Sequence, residues 1–501
     1  MSWLRSPVAR TLLVLALAVA FRCWRLGELP PGFSEDEAYG CRNAARFAAG
    51  QAPLELLRLY PQGTSQEVVG GHQPGLYYAW PVALFRLAGY SPVVWRLSSV
   101  LPSLAVVLAL YPFGRRVLGE RTAFLAALLL AVSRWHASEA RWGWHVTAAW
   151  PFLAAGLLLF LAALRGNRRL PAFLSGALSA FPMSFYPSAI GFALVPLPAA
   201  FLARPFRPKV LAAWLAGLAA GALPTAYMAL SQPTELLARG RAASIFADAG
   251  PGELPLFLLG NAGQYLGLLF FRGDPLPWHT LPGTPALDVA TALAFLGGLG
   301  LALRRMRRPL HAVLLGTLGA GFTIGVLSQT TDSPSQYRVG LAVLAVSVLA
   351  ARGLFAASRL LRRRWRRPAF ALAPAAVAAA ALLNGWFLFT TWPSHPGYFY
   401  GNGGVFEVVA AEVERLRGMG LAVGVSSRVA HDRMRLDLAL ARSLEEAGRA
   451  GEASRVPYEW GRRLPRGLAR IVPPEEGAES PVADPFGRPL YVVVPPEPGA
   501  P

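Results

Sequence analysis

Residues 30–47 read PPGFSEDEAYGCRNAARF. They follow an apolar run, residues 8–25, and open a loop that stays mostly polar to about Trp95. Three consecutive acids, Glu35, Asp36 and Glu37, thus come directly after a segment long enough to cross a bilayer, which takes about 17–25 apolar residues. Arg5 precedes the apolar run and Arg10 stands near its start, and Ala18-Val19-Ala20 resembles a cleavage site, so a signal peptide is the alternative to a retained helix. Either way the acidic stretch lies outside the cytoplasm.

Whether that stretch faces a membrane surface decides the fold, and the composition answers. Of 501 residues, 54% are hydrophobic and only 15% charged, against about 25% charged in an ordinary soluble domain. The net charge of +20 could suggest nucleic acid, but its placement does not. From Thr391 onward there are 13 Arg and 14 acids, so the excess belongs to the apolar part. There it sits in short clusters between apolar runs, among them Arg115/Arg116/Arg121, Arg165/Arg168/Arg169, Arg204/Arg207/Lys209, Arg304/Arg305/Arg307/Arg308 and the arginines from Arg359 to Arg367. This is the positive-inside pattern of a polytopic membrane protein.

The apolar runs predict spans over 96–117, 121–137, 146–164, 170–187, 188–203, 210–229, 286–303, 309–328, 338–358 and 369–390. With residues 8–25 that makes about eleven transmembrane helices. Residues 74–88, interrupted by Pro81, are short for a span and are expected to lie in the membrane interface. The chain therefore divides into a transmembrane region, 1–390, with interfacial helices in its first outer loop, 26–95, and a tail, 391–501. In the tail, Val405–Arg417 reads as a helix and Leu421–Val425 and Leu490–Val494 as strands, a small extracytoplasmic α/β domain. Of the 14 acids before Thr391, all but Glu120 fall on the side opposite the arginine clusters. The two cysteines, Cys23 and Cys41, are too few for a disulfide framework and have no metal-ligand spacing.

The outer segments hold the candidate residues. Ser34 followed by Glu37 has the spacing of a capping box, and acids in a first turn favour the helix dipole. The same carboxylates could remove or orient the proton of an attacking hydroxyl, with Glu37 capping while Asp36 points away. His72 and Gln73, ahead of Tyr77 and Tyr78, could bind phosphate or sugar, or simply turn the chain into an interfacial helix. Residues 133–145, SRWHASEARWGWH, place Glu139 and Arg141 between two spans, where ionisable groups are costly and tend to be functional. Arg272 and Asp274 lie in a turn-rich segment that is either an ordered loop or a platform for acceptor or headgroup. Arg338 is a cation on the outer side, either an anchor or a bidentate phosphate ligand. His136 and His145 lack the spacing of a metal pair, and no nucleotide-binding motif stands in a supporting context.

Taken in order, Asp36-Glu37-Ala38, His72-Gln73-Pro74-Gly75-Leu76-Tyr77-Tyr78, Arg96-Leu97-Ser98-Ser99 and Ser133-Arg134-Trp135-His136 resemble the GT-C superfamily of integral membrane glycosyltransferases. More narrowly, the resemblance is to the protein O-mannosyltransferase and aminoarabinose transferase group, with Arg272-Gly273-Asp274-Pro275 and Leu281-Pro282-Gly283 resembling its bacterial members. It covers residues 1–390 and not the tail. The chain departs from the pattern at Gln73, where relatives often have Lys or Pro.

The resemblance implies many membrane helices and transfer of a sugar from a polyprenyl-phosphate carrier with inversion at the anomeric carbon. Asp36 would be the base. An outward-facing enzyme needs a donor carried across the membrane, because nucleotide sugars are made in the cytoplasm. Arg338 and Arg141 are the cations expected at the leaving phosphate, and Glu37 or Glu139 would position the acceptor. The expected partners are a polyprenyl-phosphate sugar, a lipid, glycan or protein acceptor and the bilayer of the bacterial cytoplasmic membrane, with no nucleic acid. No cofactor is called for, and no residues of the sequence support a divalent cation. The readings from other classes are a lipid or solute transporter, against which stand the lack of mid-span acids and of repeated halves, and a non-catalytic scaffold.

Overall fold

The computed structural model describes residues 6–61, 73–202, 204–250, 252–331, 333–363, 366–450, 458–459, 464–476 and 480–496. His72 and Asp332 lie outside them. The described chain is mostly helical. Five helices are long and apolar enough to cross a membrane: Pro92–Leu118, His145–Gly166, Pro309–Val326, Ala342–Arg362 and Phe370–Thr391. A sixth span forms if Pro208–Gly221 and Leu223–Ser231, which meet at 45°, act as one. The molecule is thus a multi-pass membrane protein.

About eleven spans are expected from the sequence, and three of the expected runs are interrupted locally. The apolar run 170–187 stops as an α-helix at Ala180 and continues as a 3-10 turn, Phe181–Ser184, where Pro182 supplies no N–H. The run 188–203 splits into Ala189–Ala193 and Pro196–Leu202, again at a proline. The run 121–137 becomes Glu120–Ala131 and the separate short helix Arg134–Ala140, which Ser133 caps by accepting from the His136 N–H at 3.4 Å. These pieces are apolar and helical but shorter than a bilayer-crossing helix.

Helices pack closely where side chains vanish. A Cβ at Gly353 would lie 1.9 Å from the Ala294 carbonyl oxygen, and one at Gly298 equally near that of Leu349. The helices Val289–Arg304 and Ala342–Arg362 therefore cross with their backbones in contact, as small residues permit in membrane bundles.

The first long loop carries two helices, Glu35–Ala48 and Gly75–Ala88. The second contains Pro81 and turns Tyr77, Tyr78, Val82 and Phe85 inward while leaving Leu87 exposed. Past the last span, Gly404–Gly418 is a helix. It accompanies a sheet of five strands: β1 (Val423–Ser426), β2 (Tyr458–Glu459), β3 (Ala469–Val472), β4 (Val482–Ala483) and β5 (Pro489–Val494). Their order is β2-β1-β3-β5-β4, with β1 parallel to β2 and β3, and β5 antiparallel to β3 and β4. This lobe rests on the first outer loop. Arg435 donates to the Phe33 carbonyl from Nε at 3.0 Å and from Nη2 at 2.7 Å, and Gln51 Nε2 donates to the Glu445 carbonyl at 3.0 Å.

Candidate active site

Asp36 stands in the first turn of Glu35–Ala48, where a negative charge suits the positive end of the helix dipole. It is half-buried, whereas Glu35 is exposed. Asp36 lines a cavity of about 1000 Å³. Trp144 and His145 reach it from the start of His145–Gly166, Tyr186 from the turn after Phe181–Ser184, and Tyr337 and Arg338 from the segment ahead of Ala342–Arg362. From this polar end the cavity continues between the Ala189–Ala193 and Pro196–Leu202 pieces and the helix Pro309–Val326. There its walls are Ile190, Leu194, Val195, Ala320, Ile324 and Leu327. Its shape and lining suit an amphiphile, with a charged head at one end and a hydrocarbon tail at the other.

Glu37 differs from the expectation of a catalytic carboxylate. It is fully buried away from the cavity lining. Its Oε1 accepts from the Gly143 N–H at 3.1 Å and from Arg96 Nε at 3.4 Å. Burial raises its pKa, and the Arg96 charge and the Gly143 N–H only partly oppose this. The capping box is incomplete as well, since Ser34 caps no helical N–H. Its hydroxyl instead accepts from Trp142 Nε1 at 2.6 Å, because a buried indole N–H needs an acceptor. Glu37 and Ser34 therefore tie the Asp36 helix to residues 142–144.

Arg141 differs in the same way. It is buried, and its guanidinium donates to the carbonyls of Arg22 (3.0 Å), Trp24 (2.8 Å) and Leu29 (2.6 Å) while lying over the Phe389 ring. The carbonyls belong to the chain leaving the first helix, so Arg141 clamps the entry to the outer loop instead of facing the cavity. Arg96 does the matching job next door, donating to Leu26 O at 2.7 Å and Gly32 O at 2.6 Å. Ser99, one helical turn on, holds Trp144 by accepting its N–H at 2.7 Å and donating to its carbonyl at 3.1 Å.

Asp274 and Glu139 come together behind the cavity. Asp274 is fully buried and accepts from His279 Nδ1, the Gln336 N–H and the Leu276 N–H, each at 2.9 Å. Gln336 Nε2 in turn donates to Ser138 Oγ at 3.1 Å and to the His279 carbonyl at 2.9 Å. The segment bearing Tyr337 and Arg338 is thereby fixed to the helix bearing Glu139. Burial alone would lower the His279 pKa, but the carboxylates of Asp274, Glu139 and Asp36 outweigh it and raise it. Burial pushes Glu139 up to about 7, helped by Asp274 and opposed by His279 and Gln336.

Arg338 is nearly buried; Nε donates to Tyr337 Oη at 3.1 Å and Nη1 to the Gln329 carbonyl at 3.4 Å. These contacts hold its guanidinium at the cavity wall. Gln73 is buried, and neither of its side-chain polar atoms has a hydrogen-bond partner among the described residues. Tyr77 packs edge-on against His145 with ring centroids 5.9 Å apart and its Oη 3.4 Å from Ser98 Oγ. Arg272 is exposed and away from the cavity lining. Among the described residues no three His, Cys, Asp or Glu side chains converge as a metal site would require. Of the expected residues, then, Asp36 and Arg338 share the cavity, and Asp274 and Glu139 form the buried support. Tyr186 was not anticipated; its only signal is an aromatic residue before Pro187 at the end of an apolar run.

No protein-family model matches the sequence, and no curated protein does. Among solved structures, ArnT from Cupriavidus metallidurans in the apo state aligns with a TM-score of 0.50 and 15% identity, over 95% of this chain and 93% of that one. The same protein bound to undecaprenyl phosphate aligns with a TM-score of 0.48 and 15% identity, over 95% and 94%. The Archaeoglobus fulgidus oligosaccharyltransferase in complex with Zn and sulfate follows with a TM-score of 0.44 and 14% identity, over 91% of this chain and 59% of that one. The alignment with apo ArnT covers nearly all of both chains, so the two share a fold.

Proposed function

We propose that this protein is an inverting glycosyltransferase of the bacterial cytoplasmic membrane, moving a sugar from a polyprenyl-phosphate carrier to an acceptor hydroxyl at the outer face. One observation carries the reading: a single cavity holds Asp36 and Arg338 at a polar end and runs into an apolar groove between helices. A soluble sugar donor has no use for such a groove, whereas a polyprenyl tail does. The fold shared with ArnT supports the same class of chemistry. The arginine clusters, lying at the opposite end of the bundle, support an outward-facing cavity under the positive-inside rule.

In the proposed reaction the Asp36 carboxylate takes the proton of the acceptor hydroxyl. The acceptor oxygen attacks the anomeric carbon as the bond from that carbon to the phosphate oxygen breaks. Polyprenyl phosphate leaves with the bonding electrons, and the Arg338 guanidinium stabilises the charge that develops on it. A single displacement inverts the anomeric configuration. Glu37, Arg96 and Ser99 keep the Asp36 helix and Trp144 in register, while Asp274 and Gln336 hold the Arg338 segment. The scheme calls for no cofactor; the acceptor is a lipid, glycan or protein hydroxyl, and the C-terminal lobe lies outside the membrane.

The test is an assay of the protein in membranes with a panel of polyprenyl-phosphate sugars, scored for released polyprenyl phosphate. Release from one donor, dependent on added acceptor, is the expected result. Movement of intact donor between leaflets with no release from any member of the panel would instead identify a transporter.

A further inference from the structure

At the end of the bundle remote from Asp36, arginines converge without an acid. Arg165 lies at the end of His145–Gly166, Arg305 and Arg308 in the turn between Val289–Arg304 and Pro309–Val326, Arg352 at the middle of Ala342–Arg362 and Arg359 near its end. The close crossing at Gly298 and Gly353 sets Arg352 against the helix Val289–Arg304, which leads into that turn. The strongest charges acting on Arg352 are all arginines: Arg305, Arg359, Arg308 and Arg165. Among the described residues none of the five forms an ion pair. Glu120, the acid of this side, is already engaged by Arg10 at 2.7 Å and Tyr111 at 2.6 Å.

His311 belongs to this group. It is 2% exposed, neither ring nitrogen has a hydrogen-bond partner among the described residues, and the charges that act on it are those of Arg352, Arg305 and Arg308. Arg352 Nε is also buried and without a partner. Unmatched donors beside several like charges are costly where water is scarce. His311 also lies in the first turn of an 18-residue helix, whose positive dipole end adds to the same field. The charges gathered here are all positive, and what is missing is an anion.

We infer that Arg305, Arg308, Arg352 and His311 form a binding site for a phosphate-ester anion, separate from the cavity at Asp36. Guanidinium forks match phosphate oxygens bidentately, and a helix N-terminus receives phosphate readily. At a membrane surface the abundant source is the headgroup of an anionic phospholipid, which basic clusters between transmembrane helices bind. Free inorganic phosphate offers the same chemistry. The site does not depend on which reaction the cavity carries out.

Native mass spectrometry of the full chain in detergent tests this, with phosphatidylglycerol, phosphatidylcholine and inorganic phosphate as probes. Phosphatidylglycerol should be retained in preference to phosphatidylcholine. Arg352→Gln should weaken its retention about fivefold, and Arg352→Lys, which keeps the charge, by less. Phosphate that displaces the lipid at millimolar concentration assigns the site to the free anion; resistance to phosphate assigns it to the headgroup. Equal retention of the two lipids, or unchanged phosphatidylglycerol retention in Arg352→Gln, overturns the inference. Circular dichroism checks that the variant is folded, and Arg305→Gln, at an exposed position, makes the same prediction if Arg352→Gln does not fold.

Discussion

Asp36, in the first long loop, and Arg338, just ahead of the helix Ala342–Arg362, line one cavity although nearly the whole membrane region separates them in sequence. A carboxylate and a guanidinium in one cavity suit the two ends of the proposed glycosyl transfer from a lipid phosphate. A scaffold protein would have no reason to bring them together.

Replacing Arg338 tests the cationic half. A hydrogen bond to a charged group contributes about 1.5–3 kcal/mol, so Arg338→Ala should weaken the donor roughly 10- to 100-fold. Arg338→Lys should recover part of the loss, since it keeps the charge but not the fork. Initial rates against donor concentration give the answer, with the effect expected in KM as well as kcat.

The Arg96–Glu37 pair should behave as one structural unit. Removing one partner of a buried ion pair costs about 3–5 kcal/mol. Arg96→Met also leaves the Leu26 and Gly32 carbonyls without their donor. Unfolding in detergent should show Arg96→Met as strongly destabilised, Glu37→Gln less so, and the double variant as less destabilised than the sum of the two. Additive losses would mean that the two residues act separately.

Glu139 sets a pH dependence whose sign is fixed. Its folded pKa of about 7 lies above the ordinary value of 4.5, so the folded state holds the proton more tightly than the unfolded one. The stability it contributes is fully present below about pH 4.5 and is lost as pH rises to about 7. Glu139→Gln removes that slope. Unfolding midpoints measured at pH 5 and pH 7.5 should show the variant gaining on the parent protein at the higher pH.

The sequence shows Asp36 and Arg338 because charges out of place in a membrane protein are visible as residue types. It does not show which buried cations face ligands and which face the chain itself. Arg141 and Arg338 look alike in sequence, yet Arg141 is held by the carbonyls of Arg22, Trp24 and Leu29, which become acceptors only once the first loop has folded. The surroundings of Glu37 are hidden for the same reason, since its partners Arg96 and Gly143 come from distant segments. Hydropathy located the apolar runs but passed over the interruptions at Pro182 and Pro196, and the first of these hid Tyr186 in what reads as a continuous span.

The central claim is that the Asp36 carboxylate activates the acceptor. It is tested most directly by single-turnover transfer with Asp36→Asn, in the same membranes and with the donor that the wild-type protein consumes. Asn keeps the size and the polarity of the side chain but is no base. The account predicts that donor binding persists and that release of polyprenyl phosphate falls by at least 100-fold, the lower end of what general-base catalysis contributes. Transfer at the wild-type rate would contradict it.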